Sequence, residues 1–264
     1  PVTGGFNIVS TSVKKILFNI PTFGGTLTIN STGLNGQALH TLDISRTGFS
    51  CDLRNLRNLS TLNIASINAT SISVAECPIV GENCTISAIE GYNPTTLNSL
   101  TMSGVSGKFD IRDTNIENIT FTIDPDKTGE ISIHGDQALR NLTLNGFSKI
   151  SVRNCPNLEK LVIEDQNKCT ELIIDIPEVK ERLYTLEGFN NTYKKYNSET
   201  GKEEDVTYPG VFDFTSFINL ETLSLSGSEA EVIKIPNRKV SIITFRDNKK
   251  LEFIDTAEED SVIE

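Results

Sequence analysis

Apolar residues recur along the chain in one pattern: an apolar residue, two polar residues, an apolar residue, any residue and another apolar residue. Successive copies begin 19 to 23 residues apart, except for one interval of 38, which is twice 19, and one later gap. Unrelated strands of a β-sandwich would show no fixed step, so the spacing predicts an internal structural repeat. The copies are Leu39-Leu42-Ile44, Leu59-Leu62-Ile64, Leu97-Leu100-Met102, Ile116-Ile119-Phe121, Leu139-Leu142-Leu144, Leu158-Leu161-Ile163, Leu220-Leu223-Leu225 and Val240-Ile243-Phe245.

A second series of apolar pairs lies about half a period after the first. Each pair is separated by one polar residue, which is the alternation of a half-buried strand. Every coil is therefore predicted to hold two short strands, and stacking of coils buries the apolar sides. The pairs are Ile72-Val74, Phe109-Ile111, Ile131-Ile133, Ile150-Val152, Leu172-Ile174, Phe212-Phe214 and Ile233-Ile235.

The eight triplets resemble the leucine-rich repeat consensus LxxLxLxxN/C. Cys155 and Cys169, each three residues before a Leu, match its Asn/Cys position. The degenerate consensus and the paired strands are similar to the irregular bacterial surface type, including BspA-like proteins. The resemblance implies a mainly β, right-handed solenoid with two short strands per coil of about 19–23 residues and little helix. It is specific for architecture and says little about function.

The repeat pattern divides the chain into three parts. Residues 1–30 are predicted to form an N-terminal β cap, with strands at 15–20 and 26–30 around a turn at Gly24-Gly25. Residues 31–251 form the solenoid, which is interrupted by an insertion at about 177–210. In that insertion, Pro177–Leu186 has the Pro-initiated pattern of a short helix. Residues 252–264 form an acidic, solvated tail.

Four of the five Tyr residues lie in or beside the insertion. Solenoid insertions emerge as loops, often on the binding side, and Tyr offers contact area with a polar tip. One interpretation is a partner-binding or glycan-binding loop; the other is a solvated hairpin that covers the edge of the solenoid. The candidate binding residues are Tyr184, Tyr193, Tyr196 and Tyr208.

Composition and charge exclude several classes of function. Lys and Arg total 24 against 35 Asp and Glu, a net charge of −11, so a nucleic-acid partner is not expected. No apolar run has the ~18 residues of a membrane span. Six acidic residues and no basic ones follow Lys250, so the repeats themselves are only mildly acidic.

Motifs for chemistry are few. Asp124, Asp126 and Thr128 resemble the first half of a calcium loop, but the twelfth position is Gly135, and a tight turn explains the segment equally well. His40 and His134 fall at predicted surface positions. No nucleophile elbow or phosphate-binding glycine motif occurs, so we expect neither enzymatic activity nor a cofactor.

The five Cys residues cannot all pair within one chain because their number is odd. Cys155 and Cys169 are predicted to fill small core positions. Cys77 and Cys84 could close a small loop by a disulfide in an oxidising compartment, or could be separate thiols. The cysteines therefore do not define the compartment.

These features predict a non-enzymatic, cell-surface or secreted solenoid for protein binding and adhesion, of the bacterial lipoprotein type. A signal or lipid anchor is presumed to be absent from this trimmed chain. A stack of coils presents a long, rigid face suited to a protein or another surface macromolecule. The alternative is a glycan-binding accessory module that uses the Tyr residues of the insertion. Predicted contact positions lie between the apolar anchors: Thr61, Asn63, Ser99, Thr101, Asn141 and Thr143.

Overall fold

The computed structural model describes residues 3–9, 14–18, 24–30, 38–44, 48–64, 71–75, 77, 80–87, 97–176, 185–187, 192–197, 202–207, 211–228, 230–236 and 240–256. Regular structure in these residues consists mainly of strands, with a short 3₁₀ turn at Gln166–Lys168. The strands are β1 (Thr3–Val9), β2 (Lys15–Leu17), β3 (Gly24–Asn30), β4 (Thr41–Asp43), β5 (Gly48–Arg54), β6 (Thr61–Asn63), β7 (Ser71–Ala75), β8 (Gly81–Ser87), β9 (Ser99–Val105), β10 (Gly107–Arg112), β11 (Asn118–Ile123), β12 (Gly129–His134), β13 (Asn141–Asn145), β14 (Phe147–Arg153), β15 (Lys160–Glu164), β16 (Glu171–Asp175), β17 (Thr185–Glu187), β18 (Thr192–Asn197), β19 (Lys202–Thr207), β20 (Val211–Asp213), β21 (Thr222–Ser226), β22 (Val232–Lys234), β23 (Ile242–Arg246) and β24 (Phe253–Asp255).

The strands alternate between two long parallel sheets as the chain coils upward. Sheet A has the order β1-β3-β5-β7-β9-β11-β13-β15-β17, and sheet B has the order β2-β4-β6-β8-β10-β12-β14-β16-β21-β23. After the insertion, a short sheet, β20-β22-β24, alternates with sheet B in place of sheet A. This architecture confirms the predicted mainly β solenoid with two short strands per coil.

The length of a coil follows from residues that pair in neighbouring strands. Ile119 pairs with Leu142, 23 residues later, and Leu142 pairs with Leu161, 19 residues later. These steps match the predicted range. Ser71, however, pairs with Ser99, 28 residues later, because a longer connection enters that coil.

The predicted phase of the repeat is wrong across the 38-residue interval. The triplet at Leu59 belongs to β6 in sheet B, whereas the triplet at Leu97 belongs to β9 in sheet A, with β7 and β8 between them. The interval is therefore one and a half coils, not two. The triplets return to sheet B at Leu220, after the insertion. Both sheets need the same alternation of apolar and polar residues, so the pattern does not distinguish them.

The core lies between the two sheets. Phe121 from β11 of sheet A packs against Phe109 from β10 of sheet B, with ring centroids 4.9 Å apart in an edge-to-face arrangement. Phe147, from β14 of sheet B, lies 6.2 Å from Phe121. All three rings are buried. Because residues from both sheets fill one narrow interior, stacking buries apolar area that a single coil would expose.

Left-handed corner residues end many of the strands. The residue directly after the strand has positive φ and is Asn, Asp or Gly, the types that adopt this conformation at lowest cost. At six of these corners the N–H donates to the carbonyl of the last strand residue of the next coil: Asn154 to Asp175 at 2.8 Å, for example, and Asp113 to His134 at 3.0 Å. The corners occur on both sheets, at Asn55, Asp113, Gly135, Gly146, Asn154, Asp165, Gly227 and Asp247.

The N-terminal segment is continuous with the solenoid sheets. Strand β2 pairs with β4 in sheet B, and β3 pairs with both β1 and β5 in sheet A, all in parallel. The turn predicted at Gly24-Gly25 is wrong, because both glycines lie inside β3. Glycine has no Cβ atom, so it can adopt the strand conformation seen here as well as the turn conformation that the sequence suggested.

The insertion contains the antiparallel hairpin β18–β19, one of the two forms that the sequence left open. A helix is predicted at Pro177–Leu186, and residues 177–184 of this segment lie outside the described residues. Its last two positions are wrong, since Thr185 and Leu186 belong to β17, which pairs with β15. The acidic tail begins with a strand, since β24 pairs with β22. Residues 257–264 lie outside the described residues.

Candidate functional site

The six predicted contact positions fall on two different faces. Ser99 and Thr101 lie on β9 and Asn141 and Thr143 on β13, both in sheet A. Thr61 and its neighbour Asn63 lie on β6, in sheet B. The structure thus brings four of the six positions together, and the sheet A group is the stronger candidate for one continuous surface.

The outward face of β7, β9, β11 and β13 carries no formal charge. The strand register aligns its side chains in three rows that run along the solenoid. The centre of the middle row is Thr120, which lies between Thr101 and Thr143. Eleven of the twelve outward residues carry a hydroxyl or an amide group. The rows are Ser71, Ser99, Asn118 and Asn141; Ser73, Thr101, Thr120 and Thr143; and Ala75, Ser103, Thr122 and Asn145.

Charged side chains bound this uncharged face at both ends. On the β5 side, the Arg54 guanidinium lies 2.8 Å from the Asp52 carboxylate. On the β15 side, the Asn145 amide donates to the Glu164 carboxylate at 2.9 Å. Parallel strands are spaced about 4.8 Å apart, so the face offers hydrogen-bonding groups at a regular period. Hydroxyl and amide groups donate and accept hydrogen bonds, which suits binding.

Sheet B presents an outward face of a different kind over the same coils. One row across β10, β12, β14 and β16 alternates in sign, as Lys108, Glu130, Lys149 and Glu171. The Glu130 carboxylate lies 3.0 Å from the Lys108 ammonium and 3.8 Å from that of Lys149. A surface depression of about 270 Å³ lies along this row and also contacts Asp110. On the same strand, the hydrogen bond with Asp110 and the charge of its carboxylate raise the pKa of Arg112.

A buried carboxylate, Asp136, was missed at the sequence level. It accepts hydrogen bonds from the Thr114 hydroxyl at 2.5 Å and from the backbone N–H groups of Ile116, Ala138 and Leu139 at 3.0 to 3.2 Å. Burial raises its pKa, against these hydrogen bonds. Ala138 and Leu139 belong to the same loop as Asp136, whereas Thr114 and Ile116 belong to the corresponding loop of the preceding coil, so the carboxylate joins neighbouring coils. The available signal was position, because Asp136 precedes Leu139 by three residues, as Cys155 precedes Leu158.

The five cysteines are thiols, so Cys77 and Cys84 are not bridged. Cys155 and Cys169 are buried in the core, as predicted. Burial raises the pKa of each of four thiols to about 12, so they remain protonated at neutral pH and are poor nucleophiles. These thiols belong to Cys51, Cys84, Cys155 and Cys169.

The structure describes two of the four candidate Tyr positions. Tyr193 and Tyr196 belong to β18, where they pair with Val206 and Glu203 of β19. Their odd spacing places the two positions on opposite faces of the ribbon. Tyr184 and Tyr208 lie outside the described residues.

The segment proposed for calcium forms the tight turn that the sequence left as the alternative. The Asp126 N–H donates to the Asp124 carboxylate at 3.0 Å, and the Lys127 N–H donates to the Asp124 carbonyl at 2.9 Å. Thr128 is exposed beside this turn. The Lys168 ammonium donates to the Pro125 carbonyl at 2.9 Å. Among the described residues, no three His, Cys, Asp or Glu side chains group closely enough to hold a metal ion.

Both histidines lie on the surface, as predicted. The His40 ring is held by a hydrogen bond from its Nδ1 to the Ala38 carbonyl, at 2.6 Å. In the part of the chain that the structure describes, no helix is long and apolar enough to span a membrane.

Comparisons of the chain with protein-family models, with curated proteins and with solved structures found no match. The geometry and chemistry of the two outward faces are therefore the basis for assigning a function.

Proposed function

We propose that the protein is a non-enzymatic solenoid that binds a protein partner through the uncharged outward face of sheet A. The observation that carries this proposal is the uninterrupted set of twelve uncharged positions on β7, β9, β11 and β13. Charged residues make up 22% of the chain, and they are concentrated elsewhere, including the facing sheet. Depletion of charge is typical of the core of a protein interface.

The rigidity of this face also supports binding. Each strand is fixed by parallel neighbours on both sides, and the inward residues beneath it are buried. A preorganised surface loses little conformational entropy when a partner binds. The resemblance to irregular leucine-rich repeat proteins of bacterial surfaces suggests a cell-surface or secreted location and a role in adhesion, with a lipoprotein anchor as one arrangement.

A glycan-binding module is the second candidate. It is favoured by the hairpin β18–β19, because this hairpin forms a two-stranded sheet separate from sheets A and B and carries Tyr193 and Tyr196. The two positions lie on opposite faces of the ribbon, so each Tyr would stack on a different sugar ring.

Matched charge insertions on the two sheets test the first proposal. Thr120→Glu places a charge at the centre of the sheet A face, and Ser132→Glu places the same charge at the corresponding position of sheet B. Both residues are half-buried strand residues. On a printed array of purified extracellular proteins, we expect wild-type protein and Ser132→Glu to bind alike, and Thr120→Glu to bind about tenfold more weakly, which is about 1.4 kcal/mol.

The same array distinguishes the two candidates. Equal loss of binding in both variants would contradict a sheet A interface, as would the absence of protein binding by the wild-type chain. Binding to a glycan array that survives Thr120→Glu but is lost in Tyr193→Ala/Tyr196→Ala would favour the glycan-binding function instead.

A further inference from the structure

The charged row on the outward face of sheet B is complementary to itself when its direction is reversed. Across β10, β12, β14 and β16 the row runs positive, negative, positive, negative, as Lys108, Glu130, Lys149 and Glu171. Read from the β16 end, the same row runs negative, positive, negative, positive. A surface with this property can pair with an identical surface, which is what the contact of a two-fold dimer requires.

A second row on the same face has this property at its two ends. It runs from Arg112 through His134 and Arg153 to Asp175, so its terminal positions carry opposite charges. The Arg112 side chain is 63% exposed, and Asp175 is exposed as well. The Ser226 hydroxyl donates to one oxygen of the Asp175 carboxylate at 2.5 Å, which leaves the other oxygen for a partner.

We infer that this face of sheet B binds the same face of a second copy of the chain, about a two-fold axis that runs along the strand direction between β12 and β14. The axis places β10 opposite β16 of the second copy, and β12 opposite β14. Opposite charges then face each other at three positions, each of which occurs twice, so the dimer contains six intermolecular ion pairs. The facing residues are Lys108 and Glu171, Glu130 and Lys149, and Arg112 and Asp175.

Two other two-fold arrangements of the same face bring like charges together. An axis perpendicular to the strands, along the middle of the face, would put Lys108 opposite Arg112 of the second copy and Lys149 opposite Arg153. An axis along β12 itself would put Lys108 opposite Lys149, and Glu130 opposite its own equivalent. Like-charge contacts disfavour such arrangements, so the charge pattern selects the axis between β12 and β14 over both of them.

The middle of the face is compatible with this arrangement because it is small and polar. Ser132 and Ser151 are half-buried, lie between the two charged rows and line the depression of about 270 Å³. The axis puts Ser132 of one copy opposite Ser151 of the other, so hydroxyl groups face each other. Asp110, in the same row, faces Ile173 of the second copy, but the Arg112 guanidinium, 2.7 Å away on its own strand, balances its charge.

The contact is small, so we expect a weak dimer. Four strands about 4.8 Å apart, each with five residues at about 3.3 Å per residue, give a face of roughly 19 by 17 Å. Interfaces of this size are typical of transient contacts. Because the attraction comes from exposed charges, salt should weaken it. We expect a dissociation constant of roughly 10 to 100 μM at low ionic strength.

Sedimentation velocity of the purified 264-residue chain tests the inference. At low ionic strength and about 200 μM protein, we expect a species of about 58 kDa, which is twice 29.0 kDa, and it should dissociate at about 1 M salt. Glu130→Lys and Lys149→Glu should each raise the dissociation constant about tenfold or more, since each puts like charges opposite each other twice. A wild-type chain that is monomeric under these low-salt conditions would overturn the inference.

Exchange of the two charges separates this arrangement from a general effect of charge. The double variant Glu130→Lys/Lys149→Glu restores opposite charges at the contact and should recover the dimer; failure to recover it would overturn the two-fold arrangement. Arg140→Glu and Glu159→Lys are the matched controls, because they make the same charge changes at an exposed ion pair outside the sheet B strands. Both controls should remain dimeric, and loss of the dimer in them would also overturn the inference.

The assembly test is independent of the proposed binding function. It involves the face of sheet B, whereas the proposed partner binds the face of sheet A. With a dissociation constant of roughly 10 to 100 μM, the chain is monomeric at the concentrations of about 0.1 μM that suit an array. Failure of one proposal therefore leaves the other in place.

Discussion

The two outward faces of the solenoid differ although the strands beneath them are built alike. Over the coils from β9 to β14, sheet A presents hydroxyl and amide groups around Thr120, whereas sheet B presents the alternating row that includes Lys108, Glu130 and Lys149. Both faces sit on the same alternation of buried and outward residues. The core requirement therefore fixes only the inward residues, and the outward ones are open to be specialised separately on each side.

The largest expected effect should be the same for both sheets, because the two sheets share one interior. Phe121→Ala on sheet A and Phe109→Ala on sheet B should each lower the free energy of unfolding by about 4 kcal/mol, since each leaves a cavity in one continuous ring cluster. Urea denaturation measures both values. A loss confined to one of the two variants would show that the sheets are not stabilised by one core.

The next effect tests a contact between the loops that lead from sheet B to sheet A. Asp136→Ala leaves buried N–H donors without an acceptor and should cost about 3 kcal/mol. Thr114→Val removes only one donor and serves as the milder control, with an expected loss of about 1 kcal/mol. Similar losses in the two variants would contradict the central role of the carboxylate.

The same residue predicts a pH dependence. Burial raises the pKa of Asp136, so the folded state favours its protonated form. That contribution is fully present below the ordinary value of 3.8 and is lost as pH rises through the folded pKa. The stability advantage of wild-type protein over Asp136→Ala should therefore decrease as pH rises from below 3.8. An advantage that grows with pH would mean that the hydrogen bonds outweigh burial.

A smaller effect should be equal on the two sheets, because both use left-handed corners. Asn154→Ala on sheet B and Asn55→Ala on sheet A should each cost about 1 kcal/mol, since alanine has no side-chain hydrogen bond to offset its positive φ. The Gly variants at the same positions are the controls and should be close to neutral. Thermal denaturation of the four variants measures the difference, and equal melting temperatures for Ala and Gly would contradict the corner role.

The smallest effect separates the faces by their response to salt. Glu130→Gln removes the acceptor of two exposed ion pairs and should cost about 0.5 kcal/mol at low ionic strength. The loss should disappear at about 1 M salt, where the screening length is about 3 Å. Thr143→Val on sheet A should show no salt dependence, as neither residue is charged. A salt-independent loss at Glu130 would indicate packing rather than charge.

The sequence predicted the fold well where the signal was periodic. The triplets and pairs located most strands of the regular coils, and the core positions from Leu39 to Leu225 are buried as expected. Prediction failed where two structures share one pattern, as with Gly24-Gly25 inside β3 and the triplet at Leu97 on the other sheet. Of the six predicted contact positions, Thr61 and Asn63 lie on sheet B and the other four lie on sheet A, a separation that the sequence pattern did not reveal.

By itself, the sequence determined that this chain forms coils of two short strands, because a period of two marks inward residues and a step of about 20 marks the coil. Only the tertiary structure decided which sheet each strand joins, because that choice depends on the lengths of the connections between strands. It also decided that the uncharged residues share one face and that Asp136 is buried between coils. These properties arise from the stacking of coils, which brings together residues about 20 positions apart in the sequence.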